Sequence, residues 1–418
     1  MKQDRKLNLL FVTRLYSGLE NSIYKGSWKP EGIPTIYKLI ERLSQNKNID
    51  LDLIFTAKGK SKQKFKAFKF PELDADVLVI PALDFTIFGK GRSIINQYFQ
   101  FIVIIFFKVL RNNYDFIYSD RANIEAAAFC ANVLKRKVIL RLLGAYPDMK
   151  EMATNGRDLS FFEKIQKKCY KANFEHIICT QDGSGGELFI EQACNPNCSH
   201  EFLVNGVDST NLDENTLQAI KNHLQLESEI PVLLFVGKLI KTKGVHYFIE
   251  AIIELSKHKK DFVALVIGDG PLKSRLLKSI TKNHIQEKIH LLGLVDHDKI
   301  APYYHLADIY VSVNFPGGLS NTTLEAMKNG CCIVRLNPSP DEHIDIHTEK
   351  LLPSSLNIQF DRNKPVEDLV NKLDYILSNP DEAKKYSYAV KKYADEKIWL
   401  WDDRINYEMK KLFQIQRD

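Results

Sequence analysis

Residues 317–330 read GGLSNTTLEAMKNG. Paired glycines make a turn, a helix pattern starts behind them, and the pattern places one carboxylate, Glu325, in the first turn of that helix. Backbone N–H groups at a helix start bind phosphate, and a carboxylate beside them accepts hydrogen bonds from a ribose. The same letters also spell T-x-x-E, a capping box built from Thr322 and Glu325. The segment alone leaves both readings open, and its surroundings weigh between them.

Residues 235–248, FVGKLIKTKGVHYF, form the next such place. An apolar strand ends at Gly237, and Lys238, Lys241 and Lys243 crowd the start of the following helix. Cations there oppose the helix macrodipole, at a cost on the order of a few tenths of a kcal/mol each. A bound anion reverses that sign. Solvated surface lysines are the plain alternative, but Gly237 and Gly244 allow close backbone approach and favour a phosphate site. Residues 265–271, LVIGDGP, are a third strand-to-turn junction. Ligands of open α/β sheets lie beyond the carboxyl ends of strands. The ends at Gly237, Gly268 and Phe315 therefore point toward one crevice.

The rest of the chain supports such sheets. At 418 residues it exceeds a single core, so two domains are expected. Short apolar runs alternate with amphipathic helices in both halves, the signature of parallel α/β sheets. In the first half, strands are expected at 7–12, 49–55, 77–80, 116–119, 138–142, 176–179 and 202–204, with helices at 35–45, 93–110, 123–134, 159–172 and 186–192. In the second, strands are expected at 232–236, 262–267, 289–292, 309–313 and 331–334, and a helix at 245–256. The fold class is α/β with two Rossmann-like domains. Residues 1–205 form the first and 206–400 the second, separated at the NGVD turn. A last amphipathic helix follows from 401.

Charge is uneven. Residues 1–205 hold 30 Lys and Arg against 22 Asp and Glu, and residues 206–418 hold 28 against 30. The first half therefore carries +8 and the second −2, which expects an anionic partner at the first half. The seven cysteines are scattered and lack zinc-site spacing. Reduced packing thiols of a cytosolic protein follow. No signal peptide pattern opens the chain, because charged residues lead straight into a strand-like run.

Taken together, these motifs resemble a GT-B-fold glycosyltransferase of family 4, the retaining group that uses nucleotide-sugar donors. FVGKLIKTKG resembles that family's FVGRL…KG, LVIGDGP its LxIvGdGP, and IHLLGLVDHDKIAPYYHLADIYVSV its FLGxv…aDvfvlPS. GGLSNTTLEAMKNG resembles EGxxnxxLEAMAxG, VNGVD the linker-proximal pNGVD, and EKIWLWDD the C-terminal f.W motif. The likeness is ordered over about residues 205–335 and fainter before that. It implies two domains facing each other across a cleft, with the helix from 401 to 418 packing back on the N-terminal domain.

The resemblance also implies roles. Lys238 and Lys243 contact the donor diphosphate, with Gly237 and Gly268 in the strand-end loops. Lys at 238 is a point charge without the fork of the family's usual Arg. Glu325 holds the ribose hydroxyls. Backbone amides from Gly318 and Leu319 through Ser320, Asn321 and Thr322 touch the sugar and diphosphate. Val295 lies near the base, and Gly32 matches the N-terminal glycine loop facing the acceptor and β-phosphate. Two departures stand out. Gly317 replaces the family's first Glu, and Leu143 replaces its frequent His. Asp120, Arg121 and Arg141 lie at strand ends where a substitute would be sought, and Asp120 is the candidate catalytic carboxylate. The alternative is that Asp120 pairs structurally with an arginine.

The Asp-x-Asp pairs at 50–52 and 74–76 flank strand starts rather than strand ends. No metal cofactor is therefore expected, and lysines with a helix dipole would meet the diphosphate charge. Partners are a nucleotide-sugar donor and a glycan or lipid-linked acceptor of a bacterial surface polysaccharide. An anionic membrane surface is a further partner, suggested by residues 58–70, KGKSKQKFKAFKF, where six lysines interleave with Phe65, Phe68 and Phe70. Nucleic acid is not expected, because no nucleic-acid-binding signature accompanies that run. The apolar run 101–107 reads as a core helix. Two rivals remain: a non-catalytic nucleotide-sugar-binding partner subunit, and a sugar-nucleotide epimerase of the same fold, for which no added acid/base residues are evident.

Overall fold

The computed structural model describes residues 6–58, 65–82, 92–154, 158–209, 212–227, 229–259 and 261–417. The chain divides into two compact units. One comprises Met1–Thr180, Gly186–Leu203 and Trp401–Asp418, the other Gln181–Gly185 and Val204–Leu400.

The first unit is built on eight strands: β1 (Leu7–Arg14), β2 (Ile49–Thr56), β3 (Lys66–Phe68), β4 (Asp76–Ile80), β5 (Phe116–Asp120), β6 (Val138–Leu142), β7 (His176–Thr180) and β8 (Ser199–Leu203). They run in the order β3-β4-β2-β1-β5-β6-β7-β8, parallel throughout except for antiparallel β3 on β4. In β1, Leu10 and Val12 enter one core while Leu9 and Phe11 enter another. Both sheet faces are thus covered, which is why the middle of β1 is a continuous apolar run, Leu9–Val12, rather than an alternating one. Helix Pro34–Ser44 starts with its proline at the first helical position, where the missing N–H costs nothing.

The C-terminal helix Trp401–Arg417 belongs to this unit. Its Trp401, Ile405, Met409, Leu412 and Ile415 recur at three- and four-residue spacing and are buried in the core of Leu9 and Phe11. Arg404 and Glu408 form a fully buried pair at 2.6 Å, and the Tyr118 hydroxyl also donates to Glu408.

Two expectations change here. Of the Lys/Phe run at 58–70, residues 59–64 lie outside the described residues. Its remainder supplies edge strand β3, and Phe70 is buried with its ring 5.3 Å from Trp28. Phe65 alone of the three phenylalanines is exposed. The run at 101–107 is not wholly core. Helix Arg92–Ile102 passes into π-helical Val103–Val109, with Leu110 N–H bonded to Ile105 O five residues back. Val103, Ile104 and Ile105 are buried, whereas Ile102, Phe106 and Phe107 face outward.

The second unit carries β9 (Val232–Val236), β10 (Val263–Ile267), β11 (Ile289–Gly293), β12 (Ile309–Ser312), β13 (Cys332–Leu336) and β14 (Asn357–Phe360). The order is β11-β10-β9-β12-β13-β14, all parallel. The chain winds outward from β9 through β10 to β11, then returns to place β12 on the other flank of β9. The direction of winding reverses between β9 and β12, and this is the switch point where open α/β sheets leave a crevice.

Candidate functional site

The loops after β9 and β12 emerge at that switch point, both in the second unit. They are tied together by Phe315 N–H donating to Thr242 O at 3.2 Å, and the end of β10 joins them where Gly237 N–H donates to Ile267 O at 3.0 Å. Gly244 ends the 3-10 turn Lys241–Lys243 at φ 66° and starts helix Val245–Leu255. A Cβ there would overlap the Val313 carbonyl oxygen, so the two loops can meet only over a glycine. Gly268, at φ 139°, meets the Gly237 carbonyl in the same way.

Close packing leaves the lysines on the rim. Lys238 is exposed and Lys243 half-buried. Burial pushes the Lys243 ammonium down from its ordinary value; Asp182 pulls it back up, and Lys238 pushes it further down. Two like charges held together here are what an anionic ligand would relieve. Neither lysine is paired with Glu325.

Ser320 caps helix Asn321–Asn329, its hydroxyl accepting from Thr323 N–H. The capping box of Thr322 and Glu325 is therefore not formed. Glu325 is the fifth helical residue, two positions deeper than the capping-box spacing suggested. Its Oε2 accepts from the Tyr304 hydroxyl at 2.8 Å, and Oε1 lies 4.0 Å from His297 Nδ1. His297 Nε2 lies 2.7 Å from Asp208 in turn. Burial pushes the Glu325 carboxyl above its ordinary value, while His297 and Tyr304 pull it down. Val295 is half-buried, two residues from His297, against the core that holds Tyr304.

The amides at this helix start divide into two sets. Gly318 N–H donates to Asp345 Oδ1 at 2.7 Å and Leu319 N–H to Asp182 O at 3.2 Å, so both are taken. Those of Ser320, Asn321 and Thr322 have no acceptor among the described residues. They are the open donors that a helix N-terminus leaves. The position of the usual Glu, Gly317, is closed as well. A Cβ there would stand 2.5 Å from Asp182 O and 2.7 Å from Gly183 C. Backbone of residues 182–184 fills the space a side chain would need.

Asp182 was not singled out by the sequence. Ser184 N–H donates to its Oδ1 at 3.0 Å, and burial pushes its carboxyl up to about 6 against the pull of Ser184 and Lys243.

In the first unit, Asp120 anchors the surrounding chain through its carboxylate. Oδ2 accepts from Thr13 Oγ1 and Arg14 N–H, and Oδ1 from Ala122 N–H and Asn123 Nδ2, all between 2.8 and 3.0 Å. With four donors on one buried carboxylate, no lone pair is left over for chemistry. Nor is it bonded to an arginine side chain. Arg121 lies over Tyr146, and Arg141 donates to the Leu142 and Ile178 carbonyls and the Thr35 and Thr180 hydroxyls. Gly32, at φ 98°, precedes helix Pro34–Ser44 and lies against the Tyr16 ring. Leu143 packs on the core of Leu9 and Phe11. Among the described residues, no group of three or more His, Cys, Asp or Glu side chains is placed to hold a metal ion.

Two units of mainly parallel strands, with an anion-ready crevice at a strand-order reversal, define a GT-B architecture. Solved structures share it. Sucrose-phosphate synthase from Thermosynechococcus elongatus superposes with a TM-score of 0.70 at 14% identity, over 98% of both chains. Anabaena Alr3699/HepE, in complex with UDP and glucose, superposes with a TM-score of 0.68 at 14% identity, over 98% of this chain and 99% of that one. By sequence, an uncharacterized glycosyltransferase of Methanocaldococcus jannaschii is 23% identical over 405 residues, 94% of this chain and 97% of its own. Alpha-monoglucosyldiacylglycerol synthase of Acholeplasma laidlawii is 29% identical over 206 residues, 47% of this chain and 49% of its own. Residues 217–393 match the model of the family glycosyl transferases group 1.

Proposed function

We propose that this chain is a retaining hexosyltransferase of family 4. It moves a sugar from a UDP- or GDP-sugar to a glycan or lipid-linked acceptor in bacterial surface polysaccharide synthesis. The observation that carries this reading is the pair Lys238 and Lys243. Among the described residues neither forms a salt bridge within 4 Å, Asp182 acting on Lys243 only through its field, and both sit at the β9–β12 switch point in the unit that presents the open amides of Ser320, Asn321 and Thr322. A diphosphate supplies the charge both features lack. Glu325 keeps lone pairs free beyond the Tyr304 bond and accepts from ribose hydroxyls. Charge building on the departing diphosphate is then met by ammonium groups and helix amides already in place, and no metal is required. UDP is the first base to try, since Alr3699/HepE was solved with it. A lipid-borne acceptor suits the name of the Acholeplasma laidlawii relative and the +8 charge of residues 1–205. Work on such an acceptor puts the chain on the inner face of the cell membrane.

A second reading is favoured by one observation. The closure of Gly317 removes a carboxylate position from the donor site, as in a partner subunit that binds nucleotide sugar without transfer. One assay separates the two. A panel of nucleotide sugars is incubated with the protein and excess chelator, and free nucleoside diphosphate is measured. Release from one donor, stimulated by membrane lipid extract, supports transfer. Binding without release supports the subunit, and rescue by manganese alone contradicts the metal-free account.

A further inference from the structure

Helix Arg92–Ile102 and the π-helical turns that continue it turn their polar Asn96 and Gln100 inward, and Lys108 reaches back to Asp52. One side is core. On the other, Tyr98, Ile102, Phe106 and Leu110 follow at four-residue spacing, which lines them along one stripe, and each is 47–55% exposed. A helix that only closes a core shows a polar face to water. This one shows aromatic rings and branched chains, a patch that marks an interaction site.

Helix Phe161–Tyr170 extends the patch. Phe161 is 71% exposed, and the Phe162 ring lies 6.4 Å from that of Tyr98. Between these helices and helix Ile124–Asn132 opens a cavity of about 390 Å³, walled chiefly by Tyr98, Phe101, Phe129, Phe162 and Ile165. A second hollow shares Ile165 and Lys168 with it and adds Lys164, Lys167 and Lys171. The acidic groups here are few. Glu163 accepts from the Ser160 amide and hydroxyl, Glu125 accepts from Gln166, and Asp158 borders the second hollow. Arg111 stacks 4.9 Å over Phe107 at the far end of the stripe.

We propose that this face of the first unit docks on an anionic lipid bilayer. The rings enter the headgroup boundary, about 5–10 Å deep, while Lys164, Lys168 and Lys171 meet lipid phosphates. Charge complementarity selects this occupant over a second copy of the chain, which would set the same lysines against each other. The proposal deepens the lipid-borne acceptor reading, yet it is tested without any transfer reaction, so either can fail alone.

The test is co-sedimentation of the full chain with phosphatidylcholine vesicles, with and without phosphatidylglycerol. The protein should pellet with the anionic vesicles at low salt and be released by high salt. Lys164→Gln, Lys168→Gln and Lys171→Gln together should weaken partitioning about 100-fold, at roughly fivefold per lysine. Phe106→Ser with Phe107→Ser should release the protein even at low salt. These exposed changes should leave thermal unfolding and nucleotide binding as they were. Lys66→Gln with Lys69→Gln, on edge strand β3 and just after it, should change nothing. Equal pelleting of all variants, loss only in the β3 variant, or no pelleting of the parent chain would each overturn the proposal. So would a dimer in light scattering that Phe106→Ser dissolves, since a second copy would then cover the face.

Discussion

Burial pushes the Asp182 carboxyl up to about 6, so near neutrality its charge is controlled by small changes in surroundings. Below that value it is neutral and above it anionic. A nucleotide-sugar diphosphate keeps its charge across the same range, so binding should weaken as pH rises from about 5 to about 7. The change should be about tenfold for charges ~10 Å apart at an effective dielectric of ~20. Calorimetric titration of UDP-glucose against pH measures it, and Asp182→Asn should flatten the profile. A steep profile that survives the substitution would assign the titration elsewhere. Glu325 belongs to the same scale. Hydrogen bonds to a charged group contribute about 1.5–3 kcal/mol, so Glu325→Gln should lower donor affinity roughly 10- to 100-fold with the fold intact. Asp120→Asn should do the reverse. It replaces one carboxylate oxygen by an NH2 that faces two donors, costing about 1–3 kcal/mol of stability in a denaturant titration, and leaves donor affinity unchanged.

At the scale of elements, the donor site depends on loops that meet over glycines. Restoring the family's carboxylate by Gly317→Glu should damage rather than repair it. The new Cβ would press on the carbonyl of Asp182 and displace residues 182–184. Overpacking of this kind costs about 1–3 kcal/mol, and thermal unfolding should register it together with weaker donor binding. A stable Gly317→Glu with improved transfer would refute this view of the loop. The same elements mark what the sequence could reveal. Strands β9 and β10 are unbroken apolar runs, and glycines at 237 and 268 announce where they end. β3 was hidden because three residues, KAF, give no period to read, and β14 because four residues, NIQF, give none either. Capping by Ser320 rather than Thr322 moved Glu325 into the second turn, within the usual slack of helix boundaries. Tyr304, His297 and Asp208 come from three separate segments, and only the winding of the sheet brings them to Glu325. Asp182 is harder still, since residues 181–185 interrupt the first unit in sequence yet pack with the second.

For the molecule as a whole, the chain's last helix returns to the first unit and seals it. Burial of Glu408 pushes its carboxyl up, but Arg404 and Arg141 outweigh that and hold it below the ordinary glutamate value. The stability it contributes is present above the unfolded value of about 4.3 and is lost as pH falls below it. Glu408→Ala leaves Arg404 charged and buried without its partner, and should cost about 3–5 kcal/mol in urea unfolding. Nucleotide binding by the folded fraction should persist, because the donor site lies in the other unit. The account's central claim is that the second unit binds a nucleotide sugar through Lys238, Lys243 and Glu325. Isothermal titration of UDP- and GDP-sugars, in excess chelator, tests it most directly. The account predicts saturable binding of at least one donor, weakened tenfold or more by Lys243→Ala and by Glu325→Gln separately. Absence of binding by every donor, or affinity unmoved by both substitutions, would contradict it.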